Sequence, residues 1–288
     1  HLAVTADPWP GDVAVYDAVE DAGYALNGMV SVASTVGVTL SSLTRAPSGV
    51  IDHATQIEVA LTTGGVSSVS EAGLLAGANL AAIGTGEPGE WEVIQFQTAD
   101  LIDTGVWRLS GVLRGQFGTD AVMADSLPVG SYFVLLDGTP QQVALAGSQR
   151  GLVRNYRIGP AAKAYDHASY RHEVHAFVGV GMRPLSPVHL SVETMGGDLS
   201  VSWIRRGRFD ADRWDLPDIP LGEDREAYLL HVLVGSAVLR SVEVSTADWV
   251  YTAAMQAEDG LPGAVEIDVA QVSDRFGPGP AARILVNL

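Results

Sequence analysis

The chain has 288 residues, of which 47% are hydrophobic, so it is long enough for one large domain or two ordinary ones with a substantial core. It contains no cysteine, which excludes disulfides, thiolate metal sites and cysteine nucleophiles. A formal net charge of −17 disfavours general binding to nucleic acid, because affinity for the phosphate backbone comes mainly from clustered Lys and Arg.

The amino-terminal end gives two further expectations. The chain starts at His1, with no charged start before an apolar run and no apolar stretch long enough to cross a bilayer, so we expect a soluble piece of a longer polypeptide. The negative charge is concentrated in this region, where Arg45 is the only Lys or Arg before residue 105.

Short runs rich in Val, Ile, Leu and Thr recur between Gly and Pro residues and often alternate with period two. This pattern predicts a mainly β protein. In one run, Glu92, Ile94 and Phe96 fall on one strand face and Trp91 and Val93 on the other, so we expect both faces to be partly covered. The clearest strand candidates are Val13–Tyr16, Ile57–Leu61, Trp91–Phe96, Tyr132–Leu136 and Val265–Val269.

Residues 71–89 combine a helical pattern with a glycine-rich loop. The run Glu71–Ile83 predicts at most one short helix, because Gly73 and Gly77 interrupt it. Gly84–Gly89 satisfies the GxGxxG pattern of dinucleotide-binding loops, but Pro88 restricts the loop and acidic side chains in and beside it would repel phosphate. We interpret this loop as an acidic hairpin turn.

Two groups of side chains resemble parts of an active site. Glu90 and Glu92 would share a strand face, but with 34 acids in the chain such pairs arise by chance, and a solvated face is the preferred interpretation. Asp166–His175 gathers histidines and acids that could hold a transition metal. On a strand, however, His172 and His175 would point to opposite faces, so a solvated or interface-facing segment is favoured.

No serine lies in a G-x-S-x-G elbow and the sequence has no P-loop. We therefore expect no catalytic, cofactor or metal site, and we predict that the chain is not an enzyme.

A domain boundary is predicted between residues 183 and 184, where the two prolines of Met182–Pro187 favour an extended linker. Residues 1–183 would form a β-rich domain and residues 184–288 a fibronectin type III-like β-sandwich, with Trp203 and Tyr251 as core aromatics and a hairpin turn at Gly196–Asp198. The predicted strands of the sandwich lie near 188–193, 199–206, 226–234, 237–244, 249–253, 264–272 and 282–287.

Residues 203–214 form the one concentrated basic and aromatic stretch of the chain. Arg and Trp dominate interface hot spots, so the stretch suits a contact surface. Alternatively, Trp203 and Ile204 could fill the core while the arginines pair with Asp210, Asp212, Asp215, Glu223 and Asp224. The candidate assembly or receptor contacts in this stretch are Arg205, Arg206, Arg208, Arg213 and Trp214.

Six phrases occur in the same order as in one known family. They are PWPGDVAVY (8–16), LLAGANLA (74–81), WEVIQF (91–96), LSGVLRGQFGT (109–119), PLSPVHL (184–190) and WIRRGR (203–208), of which LSGVLRGQFGT is the most specific. The chain thereby resembles the tail-tip protein, called megatron or host-specificity protein, of the gene transfer agents of alphaproteobacteria and of related siphophages.

The resemblance implies the carboxyl-terminal part of such a protein: a phage tail-tip domain followed by a fibronectin-like module, in a virion structural protein of the distal tail tip or baseplate. Its expected roles are tail assembly, host-cell attachment and genome delivery. Family members assemble as three copies, so we expect a homotrimer that contacts tail hub and distal tail proteins and a host envelope receptor, without specific nucleic-acid binding.

Larger members of the family carry a barrel related to glycoside hydrolases upstream, but residues 1–288 lack its repeating βα pattern, so its activity is not carried over. Within the most specific phrase, the residue types of Leu113–Gln116 suggest a structural, glycine-flanked turn with Arg114 pairing across a domain contact, and Arg114 joins the candidate contacts. Two alternatives to the tail-tip structural role stay open: a carbohydrate- or receptor-binding module of a tail fibre, or part of an envelope-degrading tail hydrolase.

Overall fold

The structure, a computed structural model, describes residues 1–211, 213, 215–260 and 263–287. The chain folds as two compact units, His1–Val178 and Gly179–Leu288. The predicted boundary lies a few residues after this division.

Both units are built mainly from antiparallel strands, so the predicted fold class is confirmed. The described helices are α1 (Glu71–Leu75) and α2 (Ala253–Asp259), with 3₁₀ turns at Thr119–Val122, Gly147–Gln149 and Val180–Met182. The described strands are β1 (Val13–Ala18), β2 (Ala25–Val30), β3 (Val36–Thr39), β4 (Leu43–Thr44), β5 (Ile51–Leu61), β6 (Leu80–Gly84), β7 (Trp91–Asp103), β8 (Val106–Gln116), β9 (Ser126–Leu127), β10 (Tyr132–Leu135), β11 (Arg154–Pro160), β12 (Arg171–His175), β13 (Val188–Met195), β14 (Asp198–Ile204), β15 (Tyr228–Val234), β16 (Ala237–Val244), β17 (Asp248–Tyr251), β18 (Ala264–Ser273), β19 (Gly277–Pro278) and β20 (Ala282–Asn287).

A closed barrel forms the centre of the first unit. Its strands follow the order β10-β3-β5-β8-β7-β6, and β10 closes the ring by pairing with both β3 and β6. The alternation of β7 places Glu92, Ile94 and Phe96 inside and leaves Trp91 and Val93 half-buried, as predicted. The short β4–β9 pair adds Leu43 and Leu127 to the same core. Other core side chains are Ile57, Val59, Ala81, Ile83, Leu109, Val112 and Phe133.

The second sheet of the first unit has the order β12-β11-β1-β2. It joins strands from the start of the chain to strands near residue 160, since Val13 pairs with Pro160 and Val15 with Ile158. One face of this sheet packs around Val13, Val15, Val30 and Tyr156. The opposite face carries Ala14 and Tyr16. It is covered in part by the segment after β11, because Ala14 is buried and Tyr16 contacts Tyr165 and Tyr170.

The second unit is a two-layer sandwich. One sheet has the order β13-β14-β17; in the other, β16, β15, β18 and β20 are neighbours, and the short β19 pairs with the end of β18. In chain order the main strands are A, B and E of one sheet and C, C′, F and G of the other, which is a fibronectin type III-like arrangement. Trp203 and Tyr251 are buried in its core, as predicted.

The run Glu71–Ile83 contains one short helix, as predicted, and its second half is a strand. Helix α1 ends at Leu75, and Gly77 (φ +94°) and Asn79 (φ +56°) then turn the chain into β6. Pairing of β6 with β7 and β10 buries Ala81 and Ile83 in the barrel, so tertiary burial overrides the helical pattern.

Helix α2 was not predicted. Thr252 caps it by accepting a hydrogen bond from the Met255 amide at 3.2 Å, and Gly260 ends it with φ +62°. A capping threonine followed eight residues later by glycine is a helix signal that the strand-rich context conceals.

Candidate contact surfaces

Arg114 lies at the centre of the LSGVLRGQFGT phrase, on β8, and is fully buried inside the barrel. Its Nε and Nη2 atoms donate to the two carboxylate oxygens of Glu92 at 2.6 and 2.8 Å, and Nη1 donates to the Thr44 carbonyl at 2.8 Å. The Gly115 amide donates to the same carboxylate at 3.0 Å. This bidentate pair is therefore satisfied without water, and it links the barrel wall to the β4–β9 pair.

This placement corrects the prediction for Arg114. Because the guanidinium has no solvent exposure and its partners Glu92 and Thr44 lie in the same unit, Arg114 is neither a surface contact nor a pair across a domain contact. Glu90 and Glu92 are also separated: Glu92 is buried, whereas Glu90 lies on the surface and accepts a hydrogen bond from Thr85 Oγ1 at 2.5 Å.

The turn after Arg114 presents an exposed aromatic ring. Gly115 has φ +60°, and a Cβ there would lie 2.7 Å from Asp120 Cα, so the position requires glycine. Two residues later, Phe117 also has a left-handed backbone (φ +54°), and 74% of its surface is exposed. A left-handed conformation is unfavourable for a bulky residue, and so is an exposed phenyl ring.

Sequence reasoning missed Phe117. Its only signal was a large apolar residue between Gly115 and Gly118, within the most specific phrase. Backbone strain combined with an exposed aromatic ring is typical of contact positions, so Phe117 joins the candidates.

In the second unit, two of the predicted intramolecular ion pairs are confirmed. Arg208 donates to Glu223 at 2.5 Å and its guanidinium lies 5.1 Å from the centre of the Phe209 ring. Arg213 donates to Asp215 at 2.5 and 2.9 Å. These arginines are therefore engaged within the chain, although the Arg213 side chain is 48% exposed.

The remaining candidates of this stretch differ in position. Arg205 donates to the Ile219 carbonyl and to Asp218, both at 2.6 Å. Arg206 is half-buried and also has interactions within the chain. Asp212 and Trp214 lie outside the described residues, so the contact predicted for Trp214 stays a prediction.

A cleft of about 300 Å³ lies beside this stretch in the second unit. Its apolar groups include Phe209, which is 58% exposed, and its charged groups are ion-paired: Arg208 with Glu223, and Arg275 with Asp224. A cleft with neutralised charges around aromatic rings suits an apolar side chain of a partner better than a charged ligand. Its lining residues are Met182, Arg208, Phe209, Gly222, Glu223, Asp224, Arg275 and Phe276.

The histidine segment forms the edge strand β12. His172 Nε2 lies 2.9 Å from Asn155 Oδ1, whereas the His175 ring stacks on Phe177 with 5.5 Å between ring centres. The two histidines contact residues of different sheet faces, as the strand period predicts. Within the described ranges, no group of three or more His, Asp or Glu side chains is placed to hold a metal ion.

The Gly84–Gly89 loop connects β6 to β7, with Gly84 opposite Trp91. A strand follows it and not a helix, so the interpretation as a hairpin turn is confirmed.

In the part of the chain that the structure describes, neither α1 nor α2 nor any other helix has the length and apolar character needed to cross a membrane.

Comparison with protein families gives one match. Residues 34–134 match the model described as Rcc01698-like, C-terminal, a family associated with gene transfer agent proteins. The matched segment starts just before β3 and ends within β10, so it contains the strands of the closed barrel together with Glu92, Arg114 and Phe117.

Comparison with individual proteins adds little. No curated protein matches the chain. Among solved structures, the crystal structure of the rat CD45 extracellular region, domains d3–d4, is similar, with 10% identity, a TM-score of 0.27, and coverage of 51% of this chain and 70% of that chain.

Proposed function

We propose that the chain is part of a virion structural protein of a phage-like tail tip or baseplate, which acts in tail assembly, host-cell attachment and genome delivery. The observation that carries the proposal is that residues 34–134, which build the closed barrel, match a family associated with gene transfer agent proteins. The ordered phrases of the sequence support the finer placement at the tail tip.

The surfaces of the two units support a contact role. The first unit presents Phe117 on a strained turn, and the second presents a cleft lined by Phe209 and Phe276. Glu92, a carboxylate of the family-matched barrel, is buried and is engaged by Arg114. We therefore propose a binding and scaffolding protein, not an enzyme.

The proposed assembly is a homotrimer at the distal tail tip of an extracellular particle. Its proposed partners are the tail hub protein, the distal tail protein and a host envelope receptor, without specific nucleic-acid binding. The charge of −17 supports the last point, because a negative surface does not retain DNA that passes it.

Cryo-electron microscopy of particles that carry a tag on this chain tests the placement. The expected result is three copies at the distal end of each tail. Six copies would contradict the trimer, and absence of the tag from the particle would contradict the virion role.

Phe117 gives a test of the contact role by substitution. Phe117→Ser should reduce the number of complete tails, because a strained, exposed aromatic residue contributes mainly to intermolecular contact. Leu101→Ser is the matched control, since Leu101 is 61% exposed on β7 of the same barrel. Equal numbers of tails for the two variants, counted by negative-stain microscopy, would refute the role of Phe117.

A further inference from the structure

The face of the β12-β11-β1-β2 sheet opposite Val13 and Val15 carries a cluster of aromatic side chains. Four of the eight tyrosines of the chain meet there: the Tyr165 ring centre lies 5.6 Å from that of Tyr16 and 5.3 Å from that of Tyr24, and Tyr16 lies 6.1 Å from Tyr170. Tyr16 and Tyr24 lie near the start of the first unit, and the other two near its end. The pairing of β1 with β11 brings them together.

Tyr16 and Tyr170 form the lower layer of this cluster, the layer next to the sheet. Tyr170 is 8% exposed, and its hydroxyl donates to the carbonyls of Pro160 (3.0 Å) and Lys163 (3.2 Å). Its ring lies so close to Gly159 that a Cβ there would come within 2.6 Å of it. The lower rings are therefore held in fixed positions by the sheet and by the loop that follows β11.

Tyr24 and Tyr165 form the upper layer, and polar groups surround them. The Tyr24 hydroxyl donates to Asp21 at 2.5 Å; Arg157 donates to the same carboxylate at 2.8 Å and lies 5.3 Å from the centre of the Tyr24 ring. The hydrogen bond from Tyr24 and that from Arg157 keep the pKa of Asp21 below its ordinary value. Asp21 is half-exposed and stays ionised at neutral pH, so it is free to accept further hydrogen bonds.

We propose that this tyrosine face, formed by Tyr16, Tyr24, Tyr165 and Tyr170 with Asp21 and Arg157 at its edge, binds a neutral polysaccharide built of pyranose rings. The apolar C–H face of a pyranose packs on an aromatic ring, and its equatorial hydroxyls exchange hydrogen bonds with carboxylate and guanidinium groups at the edge. Side chains fixed in advance lose little entropy on binding, which favours a weakly held ligand such as a sugar.

Charge decides which class of polysaccharide fits. The chain carries a net charge of −17, so an anionic polysaccharide would be repelled over most of the surface. At the face itself, Arg157 is already neutralised by Asp21 at 2.8 Å. A neutral ligand meets no such penalty. The inference concerns the chain by itself and does not depend on its placement in a tail.

Affinity electrophoresis of the 288-residue chain tests the proposal. Native gels are cast with dextran, galactomannan, mixed-linkage β-glucan or, as the anionic comparison, alginate. We expect retardation in at least one neutral gel. Tyr165→Ala and Tyr24→Ala should weaken it by about tenfold, the effect of losing one aromatic stacking contact. Tyr165→Phe should keep most of the binding because the ring remains.

Two control variants separate stacking from general surface effects. Tyr132→Ala removes a tyrosine that is 47% exposed on the barrel, and Leu101→Ser changes a side chain that is 61% exposed on β7 of the barrel. Both should bind like the unmodified chain, with circular dichroism confirming that every variant is folded. The proposal fails if no neutral gel retards the chain, if only alginate does, or if Tyr165→Ala binds as well as Tyr132→Ala.

Discussion

At the scale of single residues, the most informative feature is the buried pair of Arg114 and Glu92. Each charge has lost its water and depends on the other, so the pair fixes the geometry of the barrel end while adding little net stability. The exposed pair of Arg108 and Glu58 joins β8 to β5 in the same barrel and serves as a natural comparison.

Removing one member of the buried pair should therefore be severe. We expect Arg114→Ala to lower the free energy of unfolding by about 3–5 kcal/mol, because Glu92 is left buried without its ionic partner. Arg108→Ala should cost less than about 1 kcal/mol, since its pair is solvated. Urea unfolding followed by tryptophan fluorescence measures both, and a similar loss for the two variants would contradict this account.

The turn after Arg114 provides a second prediction at this scale. Gly115→Ala should destabilise the chain by more than about 1 kcal/mol, because the new Cβ meets the Asp120 backbone at a position with φ +60°. Gly130→Ala is the matched control: its φ is +86°, but a Cβ there has no described atom within 4 Å. Thermal unfolding should show the larger loss for Gly115→Ala, and the reverse order would rule out the steric explanation.

At the scale of elements, α2 is attached to the sandwich through one acidic side chain. Asp259 accepts hydrogen bonds from Arg240 on β16 at 2.8 and 3.0 Å and from the hydroxyl of Tyr251 on β17 at 2.5 Å. The guanidinium of Arg240, followed by the Tyr251 hydroxyl, lowers the pKa of Asp259 in the folded state. One carboxylate thus joins three elements.

This attachment should weaken in acid. The pKa of Asp259 is lower in the folded chain than its unfolded value of about 3.9, so its contribution is present above that pH and is lost as the pH falls through the folded pKa. Asp259→Asn should therefore destabilise the second unit at pH 7, with a difference from the unmodified chain that shrinks towards pH 3. Asp248→Asn, an exposed position on β17, is the control. A difference that stays constant with pH would show that charge is not involved.

The elements also show how much of the fold could be predicted from the sequence. The sandwich strands were predicted well because each is a short run rich in apolar and β-branched residues, and most of these runs are bounded by Gly, Pro or charged residues. Closure of the barrel could not be predicted, since it depends on β10 pairing with β3 and β6, which are far apart in the chain. Burial of Arg114 was missed for a related reason. Its partner Glu92 lies on another strand, and a charged residue without a known partner is expected to be exposed.

At the scale of the whole molecule, net charge is the dominant property. Arginines are largely engaged with acids of the same chain, as Arg208 is with Glu223 and Arg240 with Asp259. The remaining acids give the surface its negative sign, which opposes contact with phosphate backbones.

The chain should accordingly leave duplex DNA unbound. In a gel-shift experiment near 0.15 M salt we expect no shift, because few cations remain to release counterions from the duplex. Lowering the salt tenfold should not produce binding either, whereas a protein with a basic patch would gain affinity steeply. A saturable shift that weakens with added salt would overturn this prediction.

Closure of the barrel has a consequence for how the first unit opens. Strands within the ring have a neighbour on each side, whereas β12 and β2 lie at the margins of the second sheet. At a sheet margin, local unfolding can begin by releasing one strand, which breaks hydrogen bonds to a single neighbour. In the ring, releasing a strand breaks the hydrogen bonds to both of its neighbours at once. Amide protons of β7 and β8 should therefore exchange with deuterated water only through rare, large openings of the barrel. Those of β12 should exchange faster, because β12 can detach by itself.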